Sequence, residues 1–141
     1  DKVLRDGQLL LMDAGCERHG YVSDVTRTWP VNGTFTAPQA EVYDIVLSVH
    51  AACVRAARPG ASIRQLHALS TRMLSEGIKE LGLCGPSATL EDIAMTRYRD
   101  FYWHSVGHWL GMDVHDTHLL GHGRELEPGH VITVEPGLYI P

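Results

Sequence analysis

Three histidines, His104, His108 and His115, fall within the run HSVGHWLGMDVHD, and three acids, Asp13, Asp24 and Glu135, sit in or at the ends of apolar runs elsewhere in the chain. Imidazoles and carboxylates serve as ligands for divalent ions, as general bases and as hydrogen-bond partners, so their placement decides among these roles. Asp13 and Asp24 are eleven positions apart, on segments that read as neighbouring strands. Side chains on one face of paired strands lie within about 5 Å of each other. Two carboxylates that close repel unless a cation lies between them. Taken alone, Asp13 before Ala14-Gly15 is also an ordinary turn residue. Glu135 closes the apolar run VITVE and precedes Pro136. An acid at the end of a buried strand needs a partner, because an unpaired buried charge is costly.

His104 and His108 stand at i, i+4, the spacing of a helical zinc-protease motif, but Ser105, Val106 and Gly107 lie between them. There is no Glu to act as base, and Gly107 disfavours a helix, so that motif is rejected. A single histidine in this run is equally well read as a hydrogen-bonded core residue. Gathered, Asp13, Asp24, His108 and Glu135 offer three hard oxygen donors and one imidazole. That set favours Mn²⁺, Mg²⁺ or similar ions over thiolate-seeking ones. Shared carboxylates favour two ions about 3.5 to 4 Å apart, which draw the pKa of a shared water towards ~7.

The elements that must position these groups are legible from periodicity. QLLLMDAG (Gln8 to Gly15) reads as a short buried strand, and GYVSDVTRTWPV (Gly20 to Val31), rich in β-branched and aromatic residues, as its hairpin partner. From Pro38 to Arg58 apolar residues recur at helical spacing, with Pro38 in the first turn and Pro59-Gly60 as the stop; this helix is expected to be largely buried. Ser62 with Gln65 forms a capping-box pattern for a second helix, whose stripe of Leu66, Leu69, Met73, Leu74, Ile78 and Leu81 ends near Gly82. Residues 85–100 show no clean period and read as a loop with one short helix. YWHSVGH and HVITVEPG return to strand patterning on either side of a Gly-rich and His-rich connection and the Pro128-Gly129 turn. Strands, two helices and strands again make the class α+β.

At 141 residues, 44% apolar and 21% charged, the chain has the length of one domain and enough apolar content for a core. A net charge of -5 with scattered Lys and Arg gives no basic footprint, so nucleic acid is not an expected partner. No apolar run approaches the roughly 20 residues of a membrane span. Cys16, Cys53 and Cys84, odd in number and without a C-x-x-C pair, read as buried free thiols of a reducing compartment. Cys16 reads as a small packed residue, and Arg27 as pairing either with a carboxylate near the site or across the sheet surface. His19, His50, His67, His118, His122 and His130 read as structural or surface residues.

DAGCERHGYVSDVTRTWPVNGTF, HSVGHWLGMDVHD and LEPGHVITVEPGLY, in this order and spacing, resemble three successive metal-site blocks of the Xaa-Pro aminopeptidases (aminopeptidase P). These belong to the pita-bread superfamily of methionine aminopeptidases, prolidases and creatinases. The resemblance runs along essentially the whole chain and is closest to the type 3 group of mitochondrial enzymes, with the bacterial enzymes near. It implies a partial pita-bread fold and a two-ion site, most simply Mn²⁺. Asp13 would chelate one ion and Asp24 would bridge both. His108 and Glu135 would hold the second, with Glu135 also accepting a proton from a metal-bound hydroxide precursor as it attacks. His115 would hydrogen-bond the scissile carbonyl or its oxyanion, and His104 would line the substrate side beside the ring of the second-position proline. The substrates implied are peptides with proline at that position, with no membrane partner; the resemblance leaves room for a homo-oligomer and for a mitochondrial or cytoplasmic location.

The family's fifth ligand, a bridging Glu, follows the VEPGLY block and lies beyond Pro141. Residues 1–141 are therefore expected to be the middle part of a catalytic domain, binding ions poorly and hydrolysing little by themselves. A prolidase or a methionine aminopeptidase would share these ligands. A non-catalytic pita-bread module that binds peptides is a different class, and such modules typically lose ligands that this chain keeps. A metal-dependent phosphatase would leave the ordered blocks unexplained.

Overall fold

The computed structural model describes residues 3–117 and 119–140. Strand β1 (Leu9–Ala14) pairs antiparallel with β4 (Val25–Pro30), in a register that sets Asp13 opposite Thr26 and Ala14 opposite Val25. The connection is itself a small hairpin of β2 (Glu17–Arg18) and β3 (Tyr21–Val22), turned by His19 and Gly20, both with positive φ. The expected hairpin is present. Its burial is not: Leu9, Leu11 and Met12 are exposed, because this ribbon has two strands and, among the described residues, no helix of the fold packs over it.

Helix α1 (Ala37–Ala56) begins at Thr36, whose side chain accepts from the Gln39 backbone while Gln39 reaches back to the Thr36 N–H. That reciprocal pair satisfies two of the free donors of a helix start. Helix α2 (Ile63–Glu80) begins with the expected Ser62 and Gln65 pair, and α3 (Leu90–Met95) repeats the device with Thr89 and Asp92. A 3-10 turn, Arg97–Asp100, follows, so residues 85–100 hold one short helix and one further turn. Of α1 only Val49 and Cys53 are buried, while Leu47 and Val54 are exposed. The expectation of a largely buried α1 is thus corrected: its apolar residues ring the helix, but only one side meets α2.

Helix α2 is the centre of the packing. Ile63, Leu66, Leu74 and Ile78 form one core with Val49 and Cys53 of α1, Ile93 of α3, and Tyr98, Tyr102, Val106 and Trp109 beyond it. The two C-terminal segments expected to be strands run antiparallel without forming a regular ladder. Glu135 N–H donates to the Val106 carbonyl, Thr133 N–H to His108 and Leu110 N–H to Val131. Two of these bonds are donated by the later segment and one by the earlier, and a lone bridge, Trp109 with Ile132, is the only strand-like pairing described there. Cys53 is buried, Cys84 half-buried and Cys16 exposed, all three free. Cys16 is therefore not a packed residue, because its ribbon has no cover.

His67 of α2 stacks at 5.6 Å on the buried ring of Tyr102, and its Nδ1 is buried without a partner. Burial holds this imidazole below its ordinary value, helped by His104, His122 and Arg99. The unfolded chain takes up that proton at a higher pH than the folded one, so stability is full above the ordinary histidine range and is lost as pH falls through it. We expect His67→Leu, close in volume and apolar, to lose less stability than the parent between about pH 7.5 and 5.5. Urea unfolding at both values checks this; equal losses would assign the acid sensitivity to other groups.

Candidate metal centre

Two close approaches build the centre. The first brings the 106–110 segment against 131–135. A Cβ on Gly107 would meet the Thr133 carbonyl oxygen at 2.1 Å, so a side chain there would force the segments apart. With Gly107 bare, the His108 backbone N–H also donates to Thr133 Oγ1 at 3.0 Å, and Thr133 Oγ1 donates to Glu135 Oε1 at 2.7 Å. His108 Nε2 then lies 3.0 Å from the same carboxylate oxygen.

The second approach brings in the hairpin. A Cβ on Gly15 would meet the Ser23 carbonyl oxygen at 1.9 Å, and Ser23 N–H donates to the Cys16 carbonyl. Val22 N–H donates to the Gly111 carbonyl at 3.0 Å, which ties the hairpin to the histidine segment. Asp24, just ahead of β4, is thereby set with Oδ2 at 3.2 Å from His108 Nε2. Ligand atoms of Asp24, His108 and Glu135 all lie within 4.8 Å of one another. Their side chains are 10%, 16% and 30% exposed respectively, enough shielding to strengthen any charge interaction among them.

The donors fit a cation. His108 Nδ1 lies 2.9 Å from the Trp109 carbonyl, which can only accept, so in the neutral ring Nδ1 carries the hydrogen and Nε2 the lone pair. That lone pair faces two carboxylate oxygens. Among the described residues neither carboxylate pairs with Lys or Arg. Three acceptors converging on one point are repulsive until a positive charge joins them. Oxygen donors with one imidazole suit hard divalent ions.

Asp13 lines the same cavity of about 560 Å³ as His104, His108, His115 and Glu135, yet stands outside the tight group of three. His115 packs edge-on against His108 with ring centres 4.3 Å apart. His104 meets the Tyr139 hydroxyl through Nε2 at 2.7 Å. Burial, with the charges of Glu135 and Asp13, pushes the Tyr139 phenol up, so it stays protonated.

The whole chain, residues 1–141, matches metallopeptidase family M24. It belongs to that family. Mouse Xaa-Pro aminopeptidase 3 is 46% identical over 141 residues, all of this chain and 27% of the relative. Escherichia coli Xaa-Pro aminopeptidase is 49% identical over 139 residues, 97% of this chain and 31% of that enzyme. A solved structure, zinc-substituted E. coli aminopeptidase P in complex with product, superposes with a TM-score of 0.91 at 48% identity, covering 98% of this chain and 32% of the other. The fold is therefore the pita-bread α+β fold, in part, and the chain spans about a third of the length of these relatives.

For this M24 chain the structure brings Asp24, His108 and Glu135 into one cluster and places Asp13, His104 and His115 around the same cavity. Arg27 is the exception among the residues singled out near the site: its guanidinium donates to the Thr26 carbonyl at 2.8 Å and joins no ion pair among the described residues. Of the histidines read as structural, His122 lines the cavity with Ser105, His130 accepts the Glu127 N–H, and His118 lies outside the described residues. Thr133 and Tyr139 were missed. Thr133 sits two before Glu135, so strand alternation puts it on the same face; nothing in the local pattern points to Tyr139.

Groups that orient a ligand typically carry 10- to 100-fold in metal affinity. Thr133→Val keeps the shape but removes the hydroxyl that both accepts from His108 and donates to Glu135. We expect Mn²⁺ binding to weaken by about 10-fold or more, measured by titration calorimetry on the full-length protein.

Proposed function

We propose that the protein carrying this chain is an Xaa-Pro aminopeptidase, which hydrolyses the first peptide bond of substrates with proline in second position. The observation that carries the reading is the convergence of Asp24, His108 and Glu135 on one point, with no Lys or Arg paired to them among the described residues. Family membership and the fold supply the context. In this reading Asp13 and Asp24 hold one divalent ion, and Asp24, His108 and Glu135 hold a second, with Mn²⁺ the simplest choice. Such a pair of ions supplies the charge that makes a shared water nucleophilic near neutral pH.

The chain's own groups do the rest. Among the described residues Thr133 donates to Glu135 Oε1, the oxygen that also faces the His108 Nε2 lone pair, and no hydrogen bond reaches Oε2. Oε2 is thus the atom to take the water's proton and return it to the proline nitrogen as the C–N bond breaks. His115, beside His108, donates to the oxyanion that develops on the scissile carbonyl. His104 forms the cavity wall against the proline ring. Residues 1–141 act as the middle part of the catalytic domain, and a bridging Glu past Pro141 completes the centre. The compartment we favour is mitochondrial or cytoplasmic.

Cleavage of a free-amine Xaa-Pro peptide by the full-length protein, with and without Mn²⁺, tests the reading. Release of the first residue only with the ion, and none from the matching Xaa-Ala peptide, is expected. Asp24→Asn removes the shared negative charge and is expected to abolish release; wild-type turnover in that variant would sink the two-ion scheme. A folded, ion-loaded protein that binds the peptide without cutting it would instead be a peptide-binding module.

A further inference from the structure

His104 and His108 are held in the same way. Each ring's Nδ1 meets the carbonyl of the following residue, Ser105 at 2.7 Å and Trp109 at 2.9 Å. A carbonyl only accepts, so both Nδ1 atoms carry hydrogen and both neutral rings offer Nε2 as a lone pair. Four residues apart on one segment and lining one cavity, the two rings are chemically equivalent up to that point. They diverge in what Nε2 meets: two carboxylates for His108, the phenol of Tyr139 for His104.

We infer that Tyr139 is a positioning residue, whose O–H occupies the His104 lone pair and so withholds this ring from ion binding and proton transfer, fixing it as a cavity wall. The cavity's use for an Xaa-Pro substrate rests on the function proposed above; the hydrogen bond does not.

The phenol is well anchored for this. Tyr139 N–H donates to the Phe101 carbonyl at 2.9 Å, which pins its backbone three residues from His104. Its ring stacks on Trp103 at 4.4 Å and meets His104 edge-on at 5.4 Å. Tyr102, buried and bonded through its hydroxyl to Ser70, backs His104 from another side with centres 5.0 Å apart. Gly137 leaves the space that the Tyr139 ring fills: a Cβ there would lie 2.9 Å from Cε2 and 3.0 Å from the hydroxyl oxygen.

Tyr139→Phe keeps the ring stack and deletes the hydroxyl; Gly137→Ala keeps the hydroxyl and displaces the ring. In full-length protein with ¹⁵N-labelled histidine, His104 should show one neutral tautomer with hydrogen on Nδ1 and a hydrogen-bonded Nε2. Zn²⁺ alone should move the His108 Nε2 signal and leave that of His104. In both variants the His104 Nε2 signal should shift to that of a free acceptor. On an Xaa-Pro peptide, Tyr139→Phe should lower kcat/KM by about tenfold, as for one lost hydrogen bond. Combined with His104→Ala it should cost no more than His104→Ala alone. Unchanged His104 signals in Tyr139→Phe, or fully additive losses, would overturn the inference. If wild-type protein shows the expected signals but releases no residue, the proposed function fails and the positioning role stands.

Discussion

The apposition of residues 106–110 with 131–135 is the constraint on which the rest of the site depends. Three backbone bonds, from Glu135, Thr133 and Leu110, hold these segments together, and Gly107 lets them approach to a distance that a methyl group would forbid. His108 and Glu135 come from these two segments, and their contact follows from the register rather than from any attraction between them. Val106 and Trp109, which flank the cavity-lining Gly107 and His108, are buried in the core with α2, and Trp109 also forms part of the cavity wall. The same backbone thus presents chemistry on one side and packing on the other.

The hairpin joins this scaffold through little more than the Val22 to Gly111 bond and the carboxylate of Asp24. Its sequence supplies the His19-Gly20 turn, the close approach at Gly15 and the β-branched strand residues, and these fix its internal register. They do not fix its seat. The ribbon's apolar residues, Leu9, Leu11, Met12 and Trp29 among them, are exposed, whereas a half-covered antiparallel ribbon would normally hide one face.

Much of this was legible in the sequence. The capping pair of Ser62 and Gln65 announced one long helix, and apolar periodicity between Pro38 and the Pro59-Gly60 stop announced the other, because such signals are local and need no tertiary partner. The runs QLLLMDAG and GYVSDVTRTWPV announced the hairpin, and the three ordered blocks announced the family. Burial was read less well. Apolar runs in β1 and α1 promise a core, but whether a run is covered depends on what packs against it, and periodicity carries no record of that. The segments around His108 and Glu135 were expected as strands and instead pair through a few bonds and one lone bridge, with the His108 N–H taken by the Thr133 hydroxyl rather than by a backbone carbonyl. Tyr139 was invisible for a further reason: its partner, His104, is 35 positions away, and no local pattern encodes such a contact.

The division of the site between a packed scaffold and an exposed ribbon has an energetic consequence. His108 and Glu135 are presented by segments fastened to the core, whereas Asp13 and Asp24 ride on an element with few buried contacts, of the kind that opens most easily. Within the proposed centre an ion that takes oxygen from both sides joins ribbon to core. Part of its binding energy then goes into ordering the hairpin, which lowers the apparent affinity by the cost of that ordering. Binding only to the assembled form, the ion also stabilises it in proportion to the logarithm of its concentration. Charge repulsion among the carboxylates works in the same direction, since it opposes assembly without the ion and vanishes with it. In that scheme the centre and the seat of the hairpin form one cooperative unit: a contact that covered the ribbon's apolar face would raise the ion affinity without touching a ligand.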